Sequence, residues 1–206
     1  AKKSPILELK EHCVVLNGLD TNVFHPYDTL NLRELHHCED RGIVFHATAE
    51  FNADTGHIKG GHYILELARR MPEVQFIVAG NYTGDIEAPE NVILLGKVSV
   101  QKSLAMYYSM ADVTVIVSKK ETFSMITAES LCCGTPVVGF KAGGPEQITI
   151  PEYSDFTEYG NIDALEKNVR NFINKKFNRK HIAEIAGKKY SRKIMTKKYT
   201  DIYKCL

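Results

Sequence analysis

The chain has 206 residues, of which 44% are hydrophobic and 25% are charged, and its net charge at pH 7 is +1. This length and composition are typical of a globular protein with one sizeable domain or at most two small ones, and the net charge argues against a nucleic-acid binder driven by bulk positive charge. No apolar run approaches the length of a membrane span, and no signal peptide is recognised, so we expect a cytoplasmic protein.

Short apolar runs alternate with segments of helical spacing along the chain. The apolar run 13–16 ends at a turn signal, Asn17-Gly18. The predicted strands span residues 42–48, 74–79, 92–95, 113–117 and 137–140. The predicted helices span residues 62–71, 99–110 with Ser99 as N-cap, a segment after Glu121, 162–173, 179–186 and 191–203. Because the strands are nearly continuous in apolar residues and alternate with helices, we expect one three-layer α/β domain with a parallel sheet.

The segments that follow the strands are the expected place for a ligand. In parallel sheets of this kind, ligands bind beyond the carboxyl ends of the strands. The segments 17–20, 49–61, 80–84, 96–99, 118–124 and 141–146 are also the richest in Gly, Lys, Glu and Asn.

One of these segments is the most informative part of the chain. Residues 121–140 read ETFSMITAESLCCGTPVVGF, with one glutamate before a predicted helix and another, Glu129, inside it. A helix start offers unpaired N–H groups and the positive end of a dipole to a phosphate. A carboxylate beside it repels phosphate and is better suited to accept hydrogen bonds from hydroxyls. The segment therefore predicts a ligand with phosphate and hydroxyl groups, such as a nucleotide or a sugar phosphate.

The same segment resembles a known signature. Glu121, seven residues, Glu129 and then GTPVV resemble the E-x7-E motif of family 4 glycosyltransferases, which are retaining enzymes of the GT-B fold. Other pieces agree in order: Asn17-Gly18-Leu19-Asp20 with Phe24, Lys59-Gly60, and the turn 143–146. The match covers nearly the whole chain, and it implies the Rossmann-like C-terminal, donor-binding half of a GT-B enzyme.

The resemblance implies a role for each motif residue. Glu129 would accept hydrogen bonds from the ribose of a nucleoside-diphosphate-sugar, and Glu121 would orient the transferred sugar. Lys59, with Gly60, would hold the diphosphate. The remaining donor-binding positions are the helix start at Thr122, Phe123, Ser124 and Met125, and the base site near Gly96 and Val98.

Three departures from the family pattern stand out. Ser124 occupies a position that is usually glycine. Asp54 stands where many members carry arginine, so we expect either a rearranged loop or another cation, such as Lys97, Lys119 or His57, in place of the arginine. The turn Gly143-Gly144-Pro145 is one residue shorter than in the family, and we interpret it as a backbone turn that needs a positive φ.

The resemblance also implies a whole-protein function. The parent would move a sugar from the donor to an acceptor hydroxyl with retention of configuration and without a metal. It would act in polysaccharide or lipid-linked glycan synthesis, at the cytoplasmic side and peripherally at the inner face of the membrane. We expect the N-terminal acceptor domain to be absent from this chain, which begins at Ala1, and the isolated chain to be inactive. The alternatives are a non-catalytic nucleotide-sugar-binding module and a GT-B nucleotide-sugar epimerase.

Other chemistry has weak support in the sequence. The five cysteines lack zinc-binding or CxxC spacing, which favours a reducing compartment, and the run 36–40, HHCED, is interpreted as a turn or helix end rather than a metal site. A glycine-rich dinucleotide fingerprint is absent, and no nucleic-acid partner is expected. The basic residues that crowd the C-terminal part are interpreted as the solvated face of helices; they are Lys175, Lys176, Arg179, Lys180, Lys188, Lys189, Arg192, Lys193, Lys197 and Lys198.

Overall fold

A computed structural model describes Ile6 and residues 12–204 of the protein. The strands are β1 Ile43–Glu50, β2 Gln75–Asn81, β3 Val92–Gly96, β4 Val113–Ile116, β5 Val137–Phe140 and β6 Ser154–Thr157. The helices are α1 Leu30–Leu35, α2 Gly61–Arg70, α3 Gln101–Met110, α4 Met125–Cys132, α5 Pro145–Ile148, α6 Ile162–Asn174, α7 Arg179–Tyr190 and α8 Arg192–Lys204, with a 3-10 turn at Pro151–Tyr153.

The six strands form one parallel sheet in the order β3-β2-β1-β4-β5-β6. The chain builds outward from β1 to β3 on one side, and then from β4 to β6 on the other. The strand order therefore reverses between β1 and β4. Loops that leave these two strands diverge there, which opens a crevice at the carboxyl edge of the sheet.

Both faces of the sheet are buried, as the predicted parallel sheet requires. Phe45 and Ala47 of β1 lie on the face that contacts α3, α4 and α7, in a cluster with Tyr108 and Leu131. Val44 lies on the opposite face, in a cluster that includes residues of α2 and α6. Burial of this apolar surface on both faces is the main contribution that holds the layers together.

The predicted strands 42–48, 74–79, 92–95, 113–117 and 137–140 are confirmed to within two residues at each end. The predicted N-cap at Ser99 is wrong. Helix α3 starts at Gln101 after an extended Val100, whose side chain makes no capping hydrogen bond. Helix α7 runs past the predicted end at residue 186 and past Gly187, because Tyr190 on its next turn is buried and its hydroxyl donates to Ile148 O.

The structure also contains elements that the sequence patterns did not predict, namely α1, α5 and β6. The run 13–16 forms no strand, and the nearby Leu19 forms an isolated bridge with Ser191. Within the described residues, no helix is long and apolar enough to cross a membrane.

The C-terminal basic residues are mostly solvated, as predicted, but two are not. Arg179 donates to Ser109 O and Ala111 O, at 2.7 and 2.6 Å, and burial lowers the pKa of its guanidinium. Lys189 Nζ donates to Thr149 O at 2.8 Å. These two prediction errors have one cause: long cationic side chains can reach carbonyl groups at the ends of neighbouring elements.

The run HHCED lies at the end of α1, as predicted. His36 Nε2 is 3.1 Å from the hydroxyl of Tyr107, and Cys38 is buried with its Sγ directed at Arg33 O. Among the described residues, no group of three or more His, Cys, Asp or Glu is arranged to hold a metal ion.

Candidate nucleotide-sugar site

A cavity of about 460 Å³ opens at the carboxyl edge of the sheet. Its walls come from the ends of β1 and β2, the loop after β3, and the facing sides of α3 and α4. The lining residues are Ala47, Thr48, Ala49, Ala79, Gly80, Asn81, Lys97, Val98, Leu104, Tyr108, Met125, Ile126 and Glu129. A larger depression, of about 540 Å³, runs along α8, but its lining residues come from that one helix and from none of the strand ends.

Glu129 presents a mostly buried carboxylate to this cavity. Tyr108, which is fully buried on α3, donates its hydroxyl to Glu129 Oε2 at 2.9 Å. Desolvation raises the pKa of Glu129, and the hydrogen bond from Tyr108 partly opposes that rise. The phenol fixes one carboxylate oxygen, and the carboxylate faces a space that a hydroxyl-bearing ligand can fill.

Lys59 and Glu121 form an ion pair at the point where the strand order reverses. Lys59 Nζ lies 2.8 Å from Glu121 Oε1, and the two side chains are 31% and 17% exposed. Lys59 follows β1 and Glu121 follows β4, so the pair joins loops that are separated by 62 residues in the chain. An ion pair with this degree of burial is screened less by water than one on the open surface.

The start of α4 lies beside this pair, with Ser124 as its N-cap. Ser124 has φ 72°, and its hydroxyl accepts from Thr127 N at 3.4 Å and from Thr127 Oγ1 at 2.9 Å. The left-handed φ is one that glycine adopts readily, which fits the glycine expected at this position from the resemblance. The serine keeps that conformation, and its buried hydroxyl points back to the helix rather than into the cavity. Met125, the first residue of α4, lines the cavity.

The turn after β5 supports Glu121 from behind. Glu121 N donates to Ala142 O at 2.9 Å, and the carboxylate of Glu146 accepts from Gly143 N at 2.8 Å. Gly143 has φ 100°, as the sequence predicts, whereas Gly144 has φ −92°. A side chain at Gly144 would meet the backbone of Thr122 and Phe123 within 2.8 Å, so this glycine is needed for close approach rather than for its φ.

Comparison with known proteins decides the family. Residues 53–189 match the model of the family described as glycosyl transferases group 1, and this match spans more than half of the chain. The chain belongs to the group 1 glycosyltransferase family.

Two curated relatives illustrate the sequence similarity. The D-inositol 3-phosphate glycosyltransferases of Mycobacterium sp. (strain KMS) and Segniliparus rotundus are each 28% identical to this chain, over 144 and 148 residues respectively. Each match covers 64% of this chain and 32% of the relative. The chain therefore spans about a third of the length of these curated relatives.

Solved structures show the same fold. HepE of Anabaena, in complex with UDP, superposes with a TM-score of 0.81 at 18% identity over 94% of this chain and 57% of its own. Sucrose-phosphate synthase of Thermosynechococcus elongatus gives 0.77 at 20% identity, covering 93% and 52%. The C-terminal domain of a group 1 family protein, LpcC of Francisella tularensis, gives 0.62 at 20% identity, covering 88% of this chain and 98% of that domain.

The loop that carries Asp54 is ordered by its own hydrogen bonds in this group 1 chain. Asp54 N donates to Asn52 Oδ1 at 2.7 Å, and His57 N donates to Asp54 O at 3.0 Å. Of the three cations expected to replace the family arginine, only Lys97 lines the cavity among the described residues. Lys119 Nζ lies instead over the ring of Tyr159, 5.8 Å from its centroid.

The structure places the other predicted residues as follows. Val98 lines the cavity, and Gly96 ends β3 with φ 67°, two residues away. Gly60 is the left-handed N-cap of α2 directly after Lys59. Thr122 is exposed and Phe123 is partly buried between Glu121 and Ser124.

Sequence reasoning missed several residues near the site. Tyr108 is the most important, because it holds Glu129. His46 is fully buried on β1, with Nδ1 2.9 Å from Val115 O and Nε2 without a partner among the described residues. Thr48 also lines the cavity, and its only sequence signal is a polar side chain at the end of a predicted strand; Asn81, another lining residue, lies in the segment 80–84 where a ligand is expected.

Proposed function

We propose that this chain is the donor-binding half of a glycosyltransferase that moves a sugar from a nucleoside diphosphate to an acceptor hydroxyl. One observation carries the proposal. A single cavity at the strand-order reversal has a hydrogen-bonded carboxylate, Glu129, on its wall, and the start of α4 stands between that carboxylate and the Lys59–Glu121 pair. A nucleotide-sugar has its ribose, diphosphate and sugar in this order, and the carboxylate, the helix start and the ion pair offer a partner to each of them.

Each part of the donor is assigned to a chemical partner. The ribose hydroxyls donate to Glu129, whose second oxygen is held by Tyr108. The diphosphate takes the ammonium of Lys59 and the free N–H groups from Thr122 to Met125, which supply positive charge without a metal. Glu121 accepts from the hydroxyls of the sugar. The base lies against Gly96, Lys97 and Val98.

The contents of neighbouring structures support a choice of donor to test first. The structures of Anabaena HepE contain UDP and UDP-glucose, which supports a uridine diphosphate sugar as the first donor to test. The E-x7-E resemblance supports a family 4 enzyme with retention of the anomeric configuration. Lys97 adds a cation on the base side of the cavity, where it can reach a phosphate oxygen and compensate for Asp54.

The acceptor side belongs to a longer parent protein in this proposal. The curated relatives are about three times as long as the matched part, which supports an acceptor domain on another segment. The parent acts in polysaccharide or lipid-linked glycan assembly, on the cytoplasmic side and peripherally at the membrane. The isolated chain binds donor and transfers little or nothing, because the acceptor binds to the other domain of the parent.

Binding calorimetry and thermal unfolding test the proposal directly. The chain is titrated with UDP, ADP, GDP and their glucose esters in buffer containing EDTA. We expect one series to bind and to raise the unfolding temperature, since a ligand selective for the folded state stabilises it. Glu129→Gln should weaken that binding by about 1–3 kcal/mol. Glu184→Gln, on the exposed side of α7, is the matched control and should have no effect.

The outcomes separate this function from its alternatives. Failure of all six ligands to bind a folded chain would contradict the proposal. Transfer to an added acceptor by the full-length parent distinguishes an enzyme from a non-catalytic binding module. Interconversion of donor sugars without an acceptor would identify an epimerase instead.

A further inference from the structure

The Lys59–Glu121 ion pair is held in place by the backbone on both sides. Lys119 N donates to Ile58 O at 2.8 Å, and a side chain on Gly60 would come within 2.3 Å of Val117 O, so the loop with Lys59 is packed on the end of β4. Glu121 N donates to Ala142 O at 2.9 Å. The 2.8 Å contact between Lys59 Nζ and Glu121 Oε1 therefore joins two side chains that extend from fixed loops.

The proposed function gives these two groups different partners on the same ligand. A phosphate oxygen attracts Lys59, whereas sugar hydroxyls donate to Glu121. A ligand that takes only Lys59 leaves the Glu121 carboxylate without its cation and places a second anion near it. Both effects oppose binding, and at 17% exposure the carboxylate is only partly compensated by water.

A ligand with a sugar relieves this conflict. Its hydroxyls donate to the carboxylate just as Lys59 turns to the phosphate, so each charged group exchanges one partner for another. A nucleoside diphosphate without a sugar has no hydroxyl at that position. The pair therefore opposes the binding of the spent product more than the binding of the intact donor.

We propose that the Lys59–Glu121 pair is a discriminating element that favours nucleotide-sugar over nucleoside diphosphate and so promotes release of the spent product. The inference rests on the proposed function, because it assumes that phosphate and sugar reach these two residues. The inference adds a thermodynamic coupling between Lys59 and Glu121: the binding of phosphate at Lys59 depends on whether Glu121 has a hydroxyl partner.

The variant Glu121→Gln tests the coupling, because it removes the charge and keeps the size of the side chain. Calorimetry compares UDP with UDP-glucose, and also ADP and GDP with their glucose esters. We expect the affinity for the diphosphate to rise about three- to tenfold, because Lys59 is released from a charged partner. The affinity for the sugar ester should stay the same or fall, so the preference for donor over product shrinks.

Two further variants make the result specific. Glu129→Gln should weaken diphosphate and sugar ester alike, because both carry the ribose. Glu184→Gln should change neither. An unfolding temperature of Glu121→Gln within a few degrees of the parent chain shows that this variant is folded. If Glu121→Gln does not fold, Glu121→Asp is measured instead. Because Glu121→Asp keeps the negative charge, it should retain the preference for donor over diphosphate.

The failures of the two proposals are distinguishable. If no pair of ligands binds the unchanged chain, the proposed function and this inference are both overturned. If the unchanged chain binds a pair and Glu121→Gln leaves the affinity for the diphosphate equal or weaker, only the inference is overturned.

Discussion

Glu129 and Tyr108 form the best-defined polar contact in the cavity. The phenol is fully buried, and its hydroxyl donates to a carboxylate whose pKa is raised by desolvation. The hydrogen bond favours the ionised carboxylate and therefore acts against that desolvation. A nucleotide that donates ribose hydroxyls to Glu129 needs the same ionised form, so the phenol prepares the carboxylate for its ligand.

Tyr108→Phe should reveal this preparation. Without the hydroxyl, the pKa of Glu129 should rise further, and nucleotide binding should be lost at a higher pH on acidification than in the parent chain. The unfolding free energy should fall by about 1–2 kcal/mol, because a buried charged acceptor loses its donor. Calorimetric titrations across the acidic range measure the first effect, and denaturant unfolding measures the second.

Tyr27→Phe is the matched control for this prediction. Tyr27 also donates its hydroxyl to an acceptor, Val23 O at 3.0 Å, but it does not line the cavity. Its loss should leave the pH dependence of nucleotide binding unchanged. If the parent chain and Tyr108→Phe lose nucleotide binding at the same acidic pH, Tyr108 has no role in keeping Glu129 ionised.

His46 makes the stability of the domain depend on pH. Burial lowers its pKa from 6.5 to about 4; the hydrogen bond to Val115 O partly opposes this shift, and the charge of Lys59 adds a smaller lowering. Because Val115 O can only accept, Nδ1 carries the proton and Nε2 is a bare acceptor. At a pH well above 6.5 the ring is neutral in the folded and unfolded chain alike, and it contributes nothing to the pH dependence.

Below that pH, the unfolded chain takes up a proton that the folded chain excludes. We expect the unfolding free energy to fall as the pH drops from about 6.5 to 4, by about 3 kcal/mol in total from this group. His46→Asn keeps a donor for Val115 O and should flatten this part of the curve. Denaturant unfolding at several pH values, compared between the two proteins, isolates His46 from other groups; parallel curves would contradict its depressed pKa.

Sequence reasoning found the residues that belong to a linear motif and missed those defined by packing. Glu121 and Glu129 are eight positions apart on one segment, so their spacing is visible in the chain. Tyr108 reaches Glu129 only because α3 packs on α4, and a tyrosine inside an apolar helix carries no signal of that contact. The ion pair of Lys59 with Glu121 likewise depends on β1 lying beside β4, which the patterns of alternation do not specify.

At the level of elements, the start of α2 depends on one glycine. Gly60 has φ 69°, and a Cβ there would lie 2.3 Å from Val117 O. Backbone cannot yield as a flexible side chain does, so both the conformation and the space demand glycine. Since Lys59 precedes it directly, the same constraint fixes the backbone from which the Lys59 side chain extends.

Gly60→Ala should therefore damage both the fold and the site. We expect a loss of at least about 2 kcal/mol in unfolding free energy, from the left-handed φ and the clash together. Diphosphate binding should weaken as well, because the loop has to move away from β4. Gly56→Ala, in the same loop, has no atom within 4 Å of the added Cβ and should change neither quantity. Equal stability of the two variants would contradict this account.

The sequence predicts the elements that have a continuous apolar run or a helical period, and it does not predict those that lack both. The buried strands are continuous apolar runs that appear directly in the sequence. Strand β6, with the sequence SDFT, is a partly exposed edge strand and lacks such a run. Helices α1 and α5 have six and four residues, which is too short for a helical period to be recognised.

At the level of the whole molecule, the site lies where the two halves of the sheet diverge. The roles that depend on a second domain, such as acceptor binding and transfer, remain predictions because this chain spans about a third of its curated relatives. The described residues form a six-stranded parallel sheet with helices on both faces and a cavity lined by polar groups at its carboxyl edge. Nucleotide binding should therefore be measurable on this chain by itself.

Helix α8 is the element with the least connection to that core. Within α8, which the structure describes in full, no residue is buried. Its first turn is attached to the N-terminal segment: Arg192 N donates to Leu19 O at 2.8 Å, and Met195 Sδ accepts from Gly18 N at 3.1 Å. Beyond Met195, the side chains extend into solvent along a basic surface.

A chain that ends after Met195 should keep nearly all of its stability. We expect the unfolding free energy to change by less than about 1 kcal/mol, because surface side chains without buried contacts contribute little. A chain that ends after Gly187 loses Tyr190, which is 1% exposed and donates to Ile148 O, and it should lose about 3–5 kcal/mol. Denaturant unfolding of both chains measures the difference. Similar losses in the two would mean that α8 stabilises the domain by itself, and nucleotide binding by the longer chain would show that the cavity forms without it.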